Sequence, residues 1–155
     1  MKKTNALRLL DQQKKNYTTI NYTYDPENLD VAHIATTNDL ELSTIYKTLI
    51  LKGDKTGVLV AVVAGDAQLN LKKAAQASGN KKVALLPVKD LLATTGYVRG
   101  GCSPLGLKKN YPIYIDVSAE VLDYLYVNAG VRGVLVGLQP NDLVQVTEAV
   151  YEVLS

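Results

Sequence analysis

The two side chains on which most hydrolytic and metal chemistry rests are nearly missing from these 155 residues: there is one cysteine, Cys102, and one histidine, His33. A lone cysteine can form neither an intrachain disulfide nor a cysteine-based zinc site. A lone histidine rules out a multi-histidine metal centre within the chain. Phenylalanine and tryptophan are absent, whereas tyrosine occurs ten times; we have no physical account of that choice. No apolar run approaches the length of a membrane span, and the charged start, Met-Lys-Lys-Thr-Asn, is not followed by an apolar signal-peptide core. A formal net charge of +2 does not by itself announce a nucleic-acid binder. The cations are paired at Lys14-Lys15, Lys72-Lys73, Lys81-Lys82 and Lys108-Lys109, and such pairs usually mark solvated faces. No two carboxylates stand at a spacing that suggests acid/base work. The composition fits one domain, residues 1–155, in a reducing cytoplasm, with no cofactor, metal or membrane expected.

What the chain does have is glycine in one place. Gly96, Gly100, Gly101 and Gly106 fall with Pro104 inside eleven residues, between Arg99 and the Lys108-Lys109 pair. Such a stretch can be a plain connecting turn. It can also aim several main-chain N–H groups into one concavity that suits a carbonyl oxygen or a phosphate. It is not a phosphate P-loop: Gly101 and Gly106 have the spacing, but Leu107 stands where that motif requires lysine.

A second informative stretch spans residues 44–51. Strand alternation puts Lys47 on one face with Ile45, Leu49 and Leu51, and Thr48 on the other with Tyr46 and Ile50. A lysine among aliphatic neighbours either lays its stem along the core and lets its ammonium reach water, or holds that ammonium in a cleft for negative charge.

Elsewhere the patterning predicts a helix over residues 5–15 capped by Thr4, a strand over 17–24, a turn at 25–28 and a short helix over 30–37. A continuous apolar run at 58–64 predicts a central strand. Asn70 and Gly79 bracket a helix over 71–78. Further elements are expected at 82–86, 88–94, 113–116, 124–128 and 134–138. A final helix with Leu143, Val146, Val150 and Val153 as its buried stripe ends the chain. Short strands with irregularly interspersed helices argue for an α+β fold rather than a regular βαβ array.

Three motifs carry a family resemblance. They are Lys47-Thr48-Leu49, the helix start Asn70-Leu71-Lys72-Lys73-Ala74-Ala75, and the loop Thr95-Gly96-Tyr97 followed by Gly100-Gly101-Cys102-Ser103-Pro104-Leu105-Gly106. In this order they resemble the YbaK/EbsC family of aminoacyl-tRNA deacylases, relatives of the editing domain of bacterial prolyl-tRNA synthetases. The resemblance covers nearly the whole chain. It implies a mixed, strongly curved, partly barrel-like sheet flanked by helices. It also implies hydrolysis of the ester that joins a wrong amino acid to the 3′ end of a tRNA, with Cys-tRNA(Pro) the expected substrate and prolyl-tRNA synthetase the expected partner.

By resemblance, Lys47 engages the terminal phosphate or orients the ester, and the loop Gly100, Gly101, Cys102, Ser103, Pro104 surrounds the aminoacyl group. Thr48 lines the same site and directs it toward cysteine. Tyr24 matches a tyrosine near the pocket, and Leu29 stands where relatives often carry Phe. Arg99 is expected as a phosphate contact from its position alone. Three other readings stay open: a non-catalytic module for a tRNA 3′ end or nucleotide, editing of a different amino acid, and a thiol hydrolase pairing Cys102 with His33.

Overall fold

The structure, a computed structural model, describes residues 3–155. Thr4 caps α1 (Asn5–Gln12), its hydroxyl accepting from the Leu7 N–H, and Ala6, Leu7 and Leu10 are buried on the inner face. The helix stops short of residue 15 because Lys14 takes a left-handed backbone, φ 57°. β1 (Thr18–Asn21) follows, then the tight turn joining Asp25 to Asn28, and α2 (Val31–Thr37).

β2 (Tyr46–Gly53) and β3 (Gly57–Ala64) form an antiparallel hairpin. β3 is the centre of the molecule. Every residue from Leu59 to Ala64 is buried, because β2 pairs on one side, β5 (Ile113–Asp116) pairs parallel on the other, and both faces are covered. This is why its sequence runs apolar without alternation. The helix α3 (Leu71–Ser78) has the expected caps. Asn70 accepts from the Lys73 N–H, and Gly79 closes it at φ 77°, a conformation glycine takes without steric cost. β4 (Val83–Leu85) pairs with the far end of β2, and after a 3₁₀ turn α4 (Leu91–Thr95) delivers the chain into the glycine loop.

β6 (Leu125–Asn128) and β7 (Val134–Leu138) make a second hairpin, which β1 extends. With a last strand β8 (Val150–Glu152), the strands form two sheets, ordered β1-β7-β6 and β4-β2-β3-β5-β8, joined by one parallel bridge from Ile45 to Tyr126. The assembly is α+β and mixed, as expected, but it does not close into a barrel. The main core lies between the sheets, built from residues such as Leu7, Leu10, Val60, Val62, Leu105, Leu125 and Leu138. The opposite face of β2 and β3 packs on α3 through Leu51, Leu59, Val63 and Ala74. A third, smaller cluster seats α2 on the second sheet through Tyr22, Ile34, Ile45 and Leu135.

The expected last helix is half right. α5 (Pro140–Thr147) buries Leu143, but Glu148 turns left-handed and Val150–Glu152 continues as β8, parallel to β5. Val150 and Val153 are exposed rather than part of a helical stripe. Spaced apolar residues fit either period over so short a run, and the open edge of β5 gives the β-branched segment hydrogen bonds that a longer helix would not. Asp116, buried, anchors this strand's end by accepting from the Leu154 and Ser155 N–H groups. Burial alone pushes the Asp116 carboxyl up, but its hydrogen bonds from Ser118, Leu154 and Ser155 prevail and hold it below the ordinary carboxylate value.

Candidate active site

The cavity arises from a gap in strand pairing. β2 is paired with β3 along its whole length, but on its other side the bridge to β6 falls at Ile45, just before the strand begins, and β4 pairs only from Leu51 onward, with one more bond from the Leu86 N–H to the Ile50 carbonyl. Between those contacts the edge of β2 is uncovered. A cavity of about 240 Å³ opens there, walled by Lys47, Thr48 and Leu49 from β2, Leu29, Asp30, Val31 and Ile34 around the start of α2, and Gly100 and Cys102 from the glycine loop. Tyr22, Asn128 and Leu135 complete it.

Lys47 is half-buried, and its Nζ donates to the Ala67 carbonyl at 2.8 Å, beyond the turn that follows β3. An ammonium has three donors. One therefore fixes the side chain and two are left for a ligand. Lys47 is a lining residue of the cavity, and its ammonium is tied to a carbonyl that is not among the lining residues.

The glycine loop is tied down at three points. Tyr97, buried, donates from its hydroxyl to the Leu105 carbonyl at 2.6 Å, and the loop packs around it. The Asn128 amide donates to the Gly100 carbonyl at 2.8 Å and to the Tyr22 hydroxyl at 3.1 Å. Arg132 Nε donates to the Arg99 carbonyl at 2.8 Å. With its carbonyl drawn toward Asn128, Gly100 sits at φ 83°. Among the described residues the main-chain N–H groups of Gly100 and Cys102 donate to nothing else, whereas that of Gly101 is used by the Val98 carbonyl.

The residues singled out in the sequence divide accordingly. Lys47, Thr48, Leu29, Gly100 and Cys102 are brought together around the cavity. Gly101 is packed against the backbone of Val131 and Arg132, just behind it. Ser103 is fully buried, and its hydroxyl accepts from the Leu105 N–H inside the turn. Pro104 lines a different groove, with Leu9 and Tyr111, on the far side of the loop. The Arg99 side chain is exposed and outside the cavity lining. Tyr24 is also outside that lining; its ring meets that of Tyr22 edge-on at 6.2 Å and lies over Gly133.

Three lining residues had no signal strong enough to mark them. Asn128 precedes Ala-Gly and reads as a local turn former, which it is, accepting from the Gly130 and Val131 N–H groups. Its bond to Gly100 spans 28 positions and leaves no trace in spacing. Tyr22 shows only as an inward strand residue, and Asp30 only as a helix start.

Cys102 does not meet His33, which lies on α2 outside the cavity lining. Burial pushes the Cys102 thiol up to about 11, against a weaker downward pull from Thr95. A thiol so placed is protonated at neutral pH and is a poor nucleophile. The cavity is therefore lined by Lys47, by a loop with unengaged N–H donors at Gly100 and Cys102, by Asp30 and by an apolar wall, with neither a thiolate nor a histidine among its lining residues.

Residues 25–146 match the family model described as an aminoacyl-tRNA editing domain. The chain belongs to that family. It is 44% identical over 145 residues to a protein of Enterococcus faecalis provisionally named Cys-tRNA(Pro)/Cys-tRNA(Cys) deacylase EbsC, covering 94% of this chain and 88% of that one. A proline–tRNA ligase of a Sulfurihydrogenibium species is 31% identical over 118 residues, which is 70% of this chain but 20% of the ligase. Among solved structures, a provisionally assigned trans-editing enzyme for prolyl tRNA synthetase superposes with a TM-score of 0.82 at 21% identity, over 100% of this chain and 99% of that one. That last likeness speaks to the fold.

Proposed function

We propose that the chain is a trans-editing aminoacyl-tRNA deacylase that removes cysteine from mischarged Cys-tRNA(Pro). The observation that carries this reading is the combination in the cavity lining of an anchored lysine and a loop with open N–H donors, with neither a thiolate nor a histidine beside them. An aminoacyl ester is already activated, so orientation and charge stabilisation suffice for its cleavage. Lys47 would hold the ester or the terminal phosphate, and the Gly100 and Cys102 N–H groups would receive the negative charge that develops on the carbonyl oxygen.

The nucleophile in this reading is the substrate's own thiol. With an ordinary pKa of about 8.5, a few per cent of it is thiolate near neutral pH. Its sulfur bonds to the ester carbonyl carbon, and the carbon–oxygen bond to the ribose breaks. The ribose oxygen leaves with the proton that the thiol gave up. Water then opens the strained cyclic thioester to free cysteine, so that ester and water become amino acid and tRNA. Attack within one residue has a large effective concentration if the pocket folds the group correctly.

Cysteine and proline differ too little in size for one pocket to separate them by more than about 10–200-fold, which leaves a second check to be made. The kinship with a segment of proline–tRNA ligases supports prolyl-tRNA synthetase as the partner whose errors are corrected.

The purified protein, incubated with tRNA(Pro) carrying cysteine, proline or alanine, should release cysteine fastest and leave Pro-tRNA(Pro) at its spontaneous rate. Binding of the charged tRNA with no release of any amino acid would instead identify a 3′-end binding module.

A further inference from the structure

We propose that Asp30 is the ammonium-binding end of this cavity, holding the α-ammonium of the aminoacyl group so that free-amine esters are accepted and N-acylated ones rejected. The inference rests on the deacylase reading and deepens it.

Asp30 occupies the position before α2, with φ −62° and ψ 134°, where an aspartate ordinarily turns its carboxylate onto the helix's first N–H groups. Here it makes no such bond. Nor does the carboxylate accept any other hydrogen bond or form an ion pair among the described residues. The main chain of Asp30 is nevertheless fixed on both sides. Its N–H donates to Asn28 Oδ1 at 3.3 Å, and its carbonyl accepts from the Ile34 N–H at 3.1 Å. The residue is thus held in place with its carboxylate unpartnered among the described residues, and it is one of those that line the cavity. A local rule broken at a cavity is the pattern expected of a working residue.

The second observation is the polarity of the cavity as a whole. Of its lining residues Asp30 is the one carboxylate and Lys47 the one cation, and they come from different elements. Between them the wall is largely aliphatic, with Val31, Ile34, Ile45 and Leu49. Apolar walls focus the field of the few charges they carry. A ligand complementary to such a cavity has an ammonium at one end and an electron-rich oxygen or phosphate at the other. An aminoacyl ester of a nucleotide is built that way, its ammonium one carbon from the carbonyl and its phosphate beyond the ribose. Acylation of the amine removes the charge and leaves Asp30 without a partner.

Because Asp30 is solvent-exposed, the expected effect is moderate, about tenfold. The test uses two substrates, Cys-tRNA(Pro) and N-acetyl-Cys-tRNA(Pro) with its thiol free, and the wild type beside Asp30→Asn. The wild type should cleave the free-amine ester about tenfold faster. Asp30→Asn should lose most of that advantage by a rise in KM, bringing the two substrates to within a few-fold of each other at an unchanged melting temperature. Equal wild-type rates on both substrates would overturn the assignment while leaving the deacylase reading intact, as would full discrimination by Asp30→Asn. A binding arm keeps the two ideas separable. The non-cleavable amide 3′-cysteinylamino-3′-deoxyadenosine should bind Asp30→Asn about tenfold more weakly than wild type, while its N-acetyl form binds both alike. If cysteine is never released but this difference appears, the subsite stands and the catalytic reading falls; if the difference is absent, the subsite falls.

Discussion

Lys47→Ala is expected to lower deacylation by about 10²–10³-fold, the loss seen when a fixed donor is removed from a site of developing charge. The fold should not suffer. Lys47 Nζ makes one described hydrogen bond, to the Ala67 carbonyl, at a part-buried position where water can replace it. The strand itself is held by its pairing with Val63 opposite Lys47 and by Leu49 and Leu51 on the same face. A melting temperature within a few degrees of wild type, together with lost activity, is the expected pair of results. Arginine should not rescue, because a planar fork cannot reproduce a compact ammonium anchored on one carbonyl. If Lys47→Ala keeps activity within a few-fold of wild type, the ester is being held by something else and the site assignment is wrong.

Gly100→Ala should be the next most damaging change, costing at least tenfold in activity. A side chain there must adopt φ 83°, which only glycine takes routinely. Its Cβ would also stand 3.0 Å from Leu29 Cδ1 and 3.3 Å from Arg132 Nε. Leu29 can yield only by moving within a wall of the cavity, and any shift of the loop redirects the N–H groups of Gly100 and Cys102. Gly101→Ala meets the Val131 and Arg132 backbone at 3.3 Å, so it should act in the same direction through the loop's seating. Cys102→Ser, by contrast, should stay within about threefold of wild type, since a half-buried, protonated thiol takes no part in the proposed reaction. Side-by-side kinetics of the three variants check this. Severe loss in Cys102→Ser alone would restore the thiol-hydrolase reading.

Where local chemistry decides an element, the sequence was readable. Asn70 and Gly79 mark the ends of α3 because capping is satisfied within a few residues. The run at β3 reads as a buried central strand because both its faces are covered. β8 was missed for the complementary reason: what makes Val150–Glu152 a strand is the free edge of β5, some 35 positions away. The site divides along the same line. Lys47 and the glycine loop stand out by local oddity, a cation among aliphatics and a cluster of glycines. The cavity itself comes from an interruption between β6 and β4 along β2, a property of strand order that no local pattern records. Asn128 and Asp30 become visible as site residues only when that interruption is known.

The measurement that bears most directly on a cavity with neither thiolate nor histidine is a comparison of Cys-tRNA and Ser-tRNA on one tRNA(Pro) body, under single-turnover conditions. The two esters are nearly isosteric, so Lys47, Asp30 and the loop would hold them alike, but the seryl hydroxyl is far less ionised than the thiol and is the poorer nucleophile. Cleavage of the cysteinyl ester at least about a hundredfold faster is the predicted result. Equal rates on the two would contradict substrate-assisted attack and require a water activated by the protein.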